Sequence, residues 1–174
     1  MNRGMDPLAD LPGPEDFDAL LAREELRRGR TGELLSVAMI DVDGLRRVNR
    51  EHGAGAGSEV LRLCVTTLRS TLRAVDEIAR VGPDEFAALL HGTDSRSANI
   101  WADRFEDELA ALSFEHAAGP VTCSIGIADT TNEPSLLAAA AKAAVLKWKF
   151  KPATLNGQPI AASVAIQVLF GDRK

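Results

Sequence analysis

Cationic side chains are in deficit: 20 lysines and arginines stand against 25 aspartates and glutamates, a formal net charge of -5. With no basic surplus to replace phosphate counterions, the composition argues against non-specific binding to a nucleic-acid polymer. Small nucleotides stay open, because a bound metal can neutralise their charge locally. Cysteine is scarce as well. Only Cys64 and Cys123 occur, each inside an apolar pattern, which points to buried thiols in a reducing compartment. Neither stands at a metal-ligand spacing from His52, His91 or His116. No run approaches 18 uninterrupted apolar residues, and the N-terminus lacks the charged, apolar and small-residue order of a signal peptide. The expectation is a cytoplasmic domain with no membrane partner. Repeats and low-complexity tracts are missing too.

What remains is 174 residues, 45% of them hydrophobic and 26% charged, enough for one globular domain over 1–174 with a proper core. After a turn-rich start at Pro7, Pro12, Gly13 and Pro14, the spacing predicts a charged amphipathic helix over 15–29. Leu34 to Ile40 reads as a buried strand, and Asp43-Gly44 turns it into a helix near 45–51. Gly53 to Gly57 reads as a loop, with Ser58 capping a helix over 58–72 that carries Val60, Leu61, Cys64, Val65, Leu68 and Leu72 at helical spacing. Ile78 to Val81 and Phe86 to Leu90 read as two strands around a tight turn. A helix with Trp101, Phe105, Leu109 and Leu112 on one face follows Asp94, then a strand from Val121 to Ala128. Pro134 opens a helix running through Lys149, and Ile160 to Phe170 can add a last strand. That order suits an α/β (α+β) fold of the ferredoxin-like, split βαβ kind, a palm-type central sheet with an antiparallel hairpin, flanked by helices.

Two apolar runs stop abruptly at paired acids: Ile40-Asp41-Val42-Asp43, and the hairpin Arg80-Val81-Gly82-Pro83-Asp84-Glu85-Phe86. Strands ending side by side with carboxylates at their tips make a pocket for hard divalent cations, which in turn recruit phosphates. The plain alternative is that Asp41-Val42-Asp43-Gly44 is an ordinary solvated turn.

These residues resemble a known family. Asp6-Pro7-Leu8-Ala9-Asp10-Leu11 is similar to a D-x-L-T-G-L entry, and Ile40 to Asn49 to a D-I-D-x-F-K-x-I-N segment. Arg80 to Phe86 is similar to R-Y-G-G-D-E-F, and Val121 to Ala128 to T-V-S-I-G-I-A. Together, in order, over about residues 6–154, they resemble the GGDEF family, whose active members are diguanylate cyclases joining two GTP into cyclic di-GMP. Residues 155–174 are then a C-terminal extension. The resemblance implies Mg²⁺ (or Mn²⁺) held by Asp41, the Val42 carbonyl and Asp84, with Glu85 beside them, and Asp84 and Glu85 as catalytic positions. It implies substrate contacts from Asn49, Ser58, Gly82 and Lys149, and a homodimer in which each domain presents one nucleotide. GTP, or another purine nucleotide, is the implied partner.

The chain departs from the pattern in places. Ser58 stands where the family usually has aspartate, which resembles the subgroup making mixed adenine–guanine dinucleotides; the alternative is a simple helix cap. Pro83 replaces the second signature glycine. It removes an N–H and fixes φ, yet Gly82-Pro83 fits a type II′ turn, so a formed hairpin with altered nucleotide contact is expected. In the last helix the family's phosphate-binding arginine becomes Ala153, which Lys147 or Lys151 could replace, unless both belong to a solvated helix end. Arg73-Ala74-Val75-Asp76 falls at the spacing of the family's R-x-x-D inhibitory site, and Arg104 aligns with its secondary arginine, so an allosteric cyclic di-GMP site is implied; a helix-end ion pair is the alternative. Two functions follow: a Mg²⁺-dependent nucleotidyltransferase making a cyclic dinucleotide from GTP, with or without ATP, or a degenerate regulatory module that binds cyclic di-GMP or GTP.

Overall fold

The computed structural model describes residues 6–112, 114, 120–131, 135, 136, 140, 154, 155, 158 and 159. Helix α1 (Pro14–Thr31) starts where the sequence supplies a proline in the first turn and Asp16, whose carboxylate accepts from the Gly13 amide at 3.0 Å. Strand β1 (Leu35–Val42) follows and ends two residues beyond its apolar run, so Asp41 is a strand residue and not a turn residue. Gly44, at φ 73°, makes the sharp left-handed step into α2 (Leu45–Thr71). The hairpin strands are β2 (Glu77–Arg80) and β3 (Glu85–His91). Helix α3 (Ser95–Ala110) is capped by Asp94, which accepts from the Ser97 amide at 2.7 Å. Strand β4 (Cys123–Asp129) completes the main sheet, and β5 (Thr154–Leu155) pairs with β6 (Gln158–Pro159) in a separate small ladder.

The main sheet has the order β2-β3-β1-β4 and is antiparallel throughout, the expected mixed α/β architecture. Alternation along each strand divides the core in two. Ala38, Ile40 and Val42 of β1 pack with Phe86, Ala88 and Leu90 of β3 under α2 and α3, through Val60, Leu61, Cys64, Val65, Leu68, Trp101 and Phe105. The opposite face, with Leu35, Val37, Ala87 and Leu89, is covered by Phe17 and Leu21 of α1 and by the helical residues Leu136 and Ala140. Cys64 and Cys123 are both free and fully inside the first cluster, their sulfurs 4.0 Å apart. The Cys64 contact and burial together push the Cys123 thiol up.

Three expectations change. Gly53 to Gly57 is not a loop: α2 is continuous except for a kink at Gly53 (φ 84°, ψ 166°). Buried Ala56, Gly57 and Val60 explain it, since packing against the core overrides the poor helix propensity of glycine. Ser58 therefore caps nothing; its hydroxyl donates to the Ala54 carbonyl, one turn back, at 3.0 Å. Leu112 lies beyond α3 and is exposed instead of sharing its buried face. The expected helix from Pro134 through Lys149, the expected strand at 160–170, Ala153, Lys147, Lys149 and Lys151 fall outside the described residues, apart from the helical Leu136 and Ala140.

Candidate functional site

Register builds the acidic cluster. Asp41 is the ladder partner of Glu85 on one side and of Ser124 on the other, so these three residues share one face at the same end of the sheet. Asp84 closes the hairpin tip, directly before β3, and its carbonyl accepts from the Val42 amide at 2.9 Å. Asp41, Val42, Asp84 and Glu85, forty-odd positions apart in the chain, line one open cavity of about 690 Å³ together with Asp43, Gly44, Arg46, Asn49 and Pro83.

The hairpin tip differs from expectation. Gly82 is not among the glycines with positive φ, so the type II′ turn does not form. The Glu85 carbonyl instead accepts from both the Val81 and Gly82 amides, at 3.0 and 3.2 Å, leaving Gly82, Pro83 and Asp84 as the tip. Pro83 offers no donor of its own. The Arg80 guanidinium supplies donors, reaching the Gly82 carbonyl at 3.2 Å and the Pro83 carbonyl at 2.6 Å. Gly82 stands back from the cavity wall and serves it differently: a Cβ there would meet Glu85 Oε2 at 2.6 Å, so the missing side chain makes room for that carboxylate.

One residue of the site, Arg46, was not singled out from the sequence, and Asp43, read there as one of the paired acids, has partners that the sequence did not indicate. Asp43 accepts from the Thr122 hydroxyl at 2.8 Å and the Ser124 hydroxyl at 2.7 Å, which locks the β1–α2 turn to β4. Arg46 is the single cation lining the cavity among the described residues. Asn49 lines it as well, whereas Ser58 does not. Lys149 lies outside the described residues.

Among the described residues no group of three or more acidic, histidine or cysteine side chains is arranged to hold a metal ion. The donor set still fits Mg²⁺. It consists of oxygens only, with carboxylates at the tips of neighbouring strands and room for water and phosphate, and Mg²⁺ commonly takes one or two protein carboxylates and completes its octahedron from solvent and substrate.

Arg73, Asp76 and Arg104 come together elsewhere. With Thr71, Leu90, Trp101 and others they line a cavity of about 400 Å³ between the end of α2 and α3. The expected alternative, an Arg73–Asp76 ion pair, is absent: the Asp76 oxygens accept backbone N–H groups, from Arg73 at 2.9 Å and from His91 at 3.0 Å. Arg104 donates to the Thr71 carbonyl, and the Trp101 indole N–H to the Thr71 hydroxyl at 3.3 Å.

Comparison with known proteins agrees with this architecture. The family "Diguanylate cyclase, GGDEF domain" matches residues 3–151, and the chain belongs to the GGDEF family. It is 37% identical over 124 residues to the diguanylate cyclase DgcP of Pseudomonas aeruginosa, covering 70% of this chain and 18% of that protein. It is 30% identical over 134 residues to the diguanylate cyclase DosC of Escherichia coli, covering 75% of this chain and 29% of that protein. The chain thus spans less than a third of the length of either relative. The crystal structure of diguanylate cyclase SiaD with its activator SiaC, from Pseudomonas aeruginosa, matches with a TM-score of 0.72 at 29% identity, over 82% of this chain and 55% of that one. The GGDEF domain of DgcB from Caulobacter crescentus, solved with c-di-GMP, shares the fold with a TM-score of 0.75 at 20% identity, over 84% of this chain and 89% of that one. No helix among the described residues is long and apolar enough to cross a membrane.

Proposed function

We propose that this domain is a nucleotidyltransferase of the diguanylate cyclase kind, condensing two GTP into cyclic di-GMP as a homodimer. The observation that carries the reading is the shared cavity of Asp41, Val42, Asp84 and Glu85, walled by Asn49 and Arg46. Each ribose 3′-oxygen would attack the α-phosphorus of the facing nucleotide. One phosphodiester bond forms and one pyrophosphate leaves per attack, and the hydroxyl proton passes to solvent or a neighbouring carboxylate. Asp41, the Val42 carbonyl and Asp84 would hold Mg²⁺ (or Mn²⁺), which would supply charge neutralisation at the phosphates and a lower pKa for the attacking hydroxyl.

The chain's own groups divide the remaining work. The Arg46 fork matches two phosphate oxygens, a role open in this chain because the family's arginine is replaced by Ala153. Asn49 has an amide able to donate to and accept from a base edge, and its side chain has no partner among the described residues. Ser58, which does not line this cavity, has its hydroxyl proton engaged by the Ala54 carbonyl. Pro83 narrows the place where backbone meets nucleotide. Glu85, beside Asp41 across the ladder, would add a further carboxylate to the reacting centre that Asp41 and Asp84 build.

A second reading rests on the other cavity. Arg73, Asp76 and Arg104 would bind cyclic di-GMP as feedback ligand, a reading supported by their shared cavity and by the exposed Arg73 guanidinium, which has no partner among the described residues. That function stands for an active enzyme and for a regulatory module alike. Mass spectrometry of products from mixed GTP and ATP, with and without Mg²⁺, tests the first reading. Cyclic di-GMP with released pyrophosphate is expected, and no dinucleotide under any condition would overturn it.

A further inference from the structure

An uninterrupted helix separates residues eight positions apart by about 12 Å along its axis. Asn49 and Gly57, both in α2, nevertheless touch. A Cβ built on Gly57 would stand 1.9 Å from Asn49 Oδ1, 2.8 Å from Cγ and 3.1 Å from Nδ2, and these are its three nearest neighbours. The kink at Gly53 brings this about: with φ 84° and ψ 166° there, the chain changes direction between Asn49 and Gly57, and the two residues meet across the bend. Gly57 is buried while Asn49 is exposed at the cavity wall, so the amide group lies on a floor of bare backbone.

We infer that Gly57 is a positioning residue: its missing side chain is the seat that sets the direction in which the Asn49 amide meets a purine base. The physical case is steric. A contact of 1.9 Å is far inside van der Waals range, so alanine at 57 displaces the whole amide and not merely its tip. Asn49 makes no hydrogen bond among the described residues that would otherwise hold its orientation, and packing against the backbone is what remains to fix it. Elsewhere in a helix the same change would be favourable, since alanine has the higher propensity.

This inference rests on the nucleotide reading of the cavity, and a double-mutant cycle separates the two. Asn49→Ala, Gly57→Ala and the double variant are compared with the unaltered chain by thermal melting without ligand and by calorimetry with GTP and Mg²⁺. Gly57→Ala should raise the melting temperature in the Asn49→Ala background and lower or leave it unchanged where Asn49 is present. GTP affinity should fall about tenfold in Gly57→Ala, match that of Asn49→Ala, and fall no further in the double variant. Equal melting shifts in both backgrounds would overturn the seat. Coupled melting with undiminished GTP affinity in Gly57→Ala would overturn its role in positioning. If the unaltered chain binds no GTP while the melting coupling persists, the nucleotide reading itself fails and takes the positioning role with it.

Discussion

The Val42 amide donates to the Asp84 carbonyl at 2.9 Å, tying the end of β1 to the tip of the hairpin. That bond extends the ladder past the Asp41–Glu85 pair, so the two acidic segments cannot drift apart without breaking sheet structure. A metal centre built on them is held by backbone and not by flexible side chains alone.

Asp84→Ala and Asp41→Asn should therefore remove metal-dependent nucleotide binding without unfolding the domain. Calorimetry is expected to show GTP affinity in Mg²⁺ falling more than tenfold, above about 1.4 kcal/mol, with the melting temperature nearly unchanged. Binding that is undiminished in both variants would move the metal elsewhere.

Pro83→Gly tests the departure at the signature loop. Restoring glycine loosens the unfolded chain and should cost about 0.4–1 kcal/mol of stability in a denaturant titration. It also returns a backbone N–H and clears the ring from the cavity wall, so nucleotide affinity or turnover should rise in the same variant.

Arg73→Ala and Arg104→Ala should each weaken cyclic di-GMP binding, and Arg73→Lys should not restore it, because an ammonium cannot form the bidentate contact. A filter-binding or calorimetric titration reads this directly. Loss of affinity for GTP in the same variants would show that the two cavities are not separate sites.

Leu68 is fully buried between the sheet and α3, so Leu68→Ala should destabilise the fold by about 2–5 kcal/mol through lost burial and the cavity left behind. Chemical denaturation with an unchanged slope would confirm the mechanism.

Acid should weaken the domain through three carboxylates. Burial acts to raise Asp129, Glu24 and Glu25, but hydrogen bonds prevail and hold all three below their ordinary values. The donors are the Ser95 and Thr131 amides for Asp129, the Arg27 and Arg23 guanidinium groups for Glu24, and the Leu136 amide with Arg28 for Glu25. A depressed folded-state pKa contributes stability above the unfolded value, and that contribution disappears as pH falls through the folded one. Melting temperature should thus drop below about pH 4.5, less steeply in Asp129→Asn, which also forfeits about 1.5–3 kcal/mol at neutral pH.

Much of this was readable in the chain, because strand ends, the hairpin and the α3 face are written in local apolar patterns. The paired acids at Asp41 and Asp84 were legible for the same reason: polar residues that stop an apolar run mark a strand tip. The glycine-rich stretch misled, since three glycines within five positions read as a loop until the buried side of Ala56, Gly57 and Val60 is seen. The turn type at Gly82 misled because its donors come from the Arg80 side chain, which no turn statistic contains. Arg46 escaped notice because next to Arg47 it reads as solvated helix surface, and the hydroxyl partners of Asp43 because Thr122 and Ser124 lie far along the chain, at and just before β4.

The two buried thiols have a practical consequence. A sulfur walled in by packed hydrocarbon is out of reach of a dissolved reagent, so an alkylating reagent should reach Cys64 and Cys123 only when α2 lifts from β4. Their modification rate would then count opening events of the native molecule, a built-in clock for how often the interior of the domain is exposed to solvent.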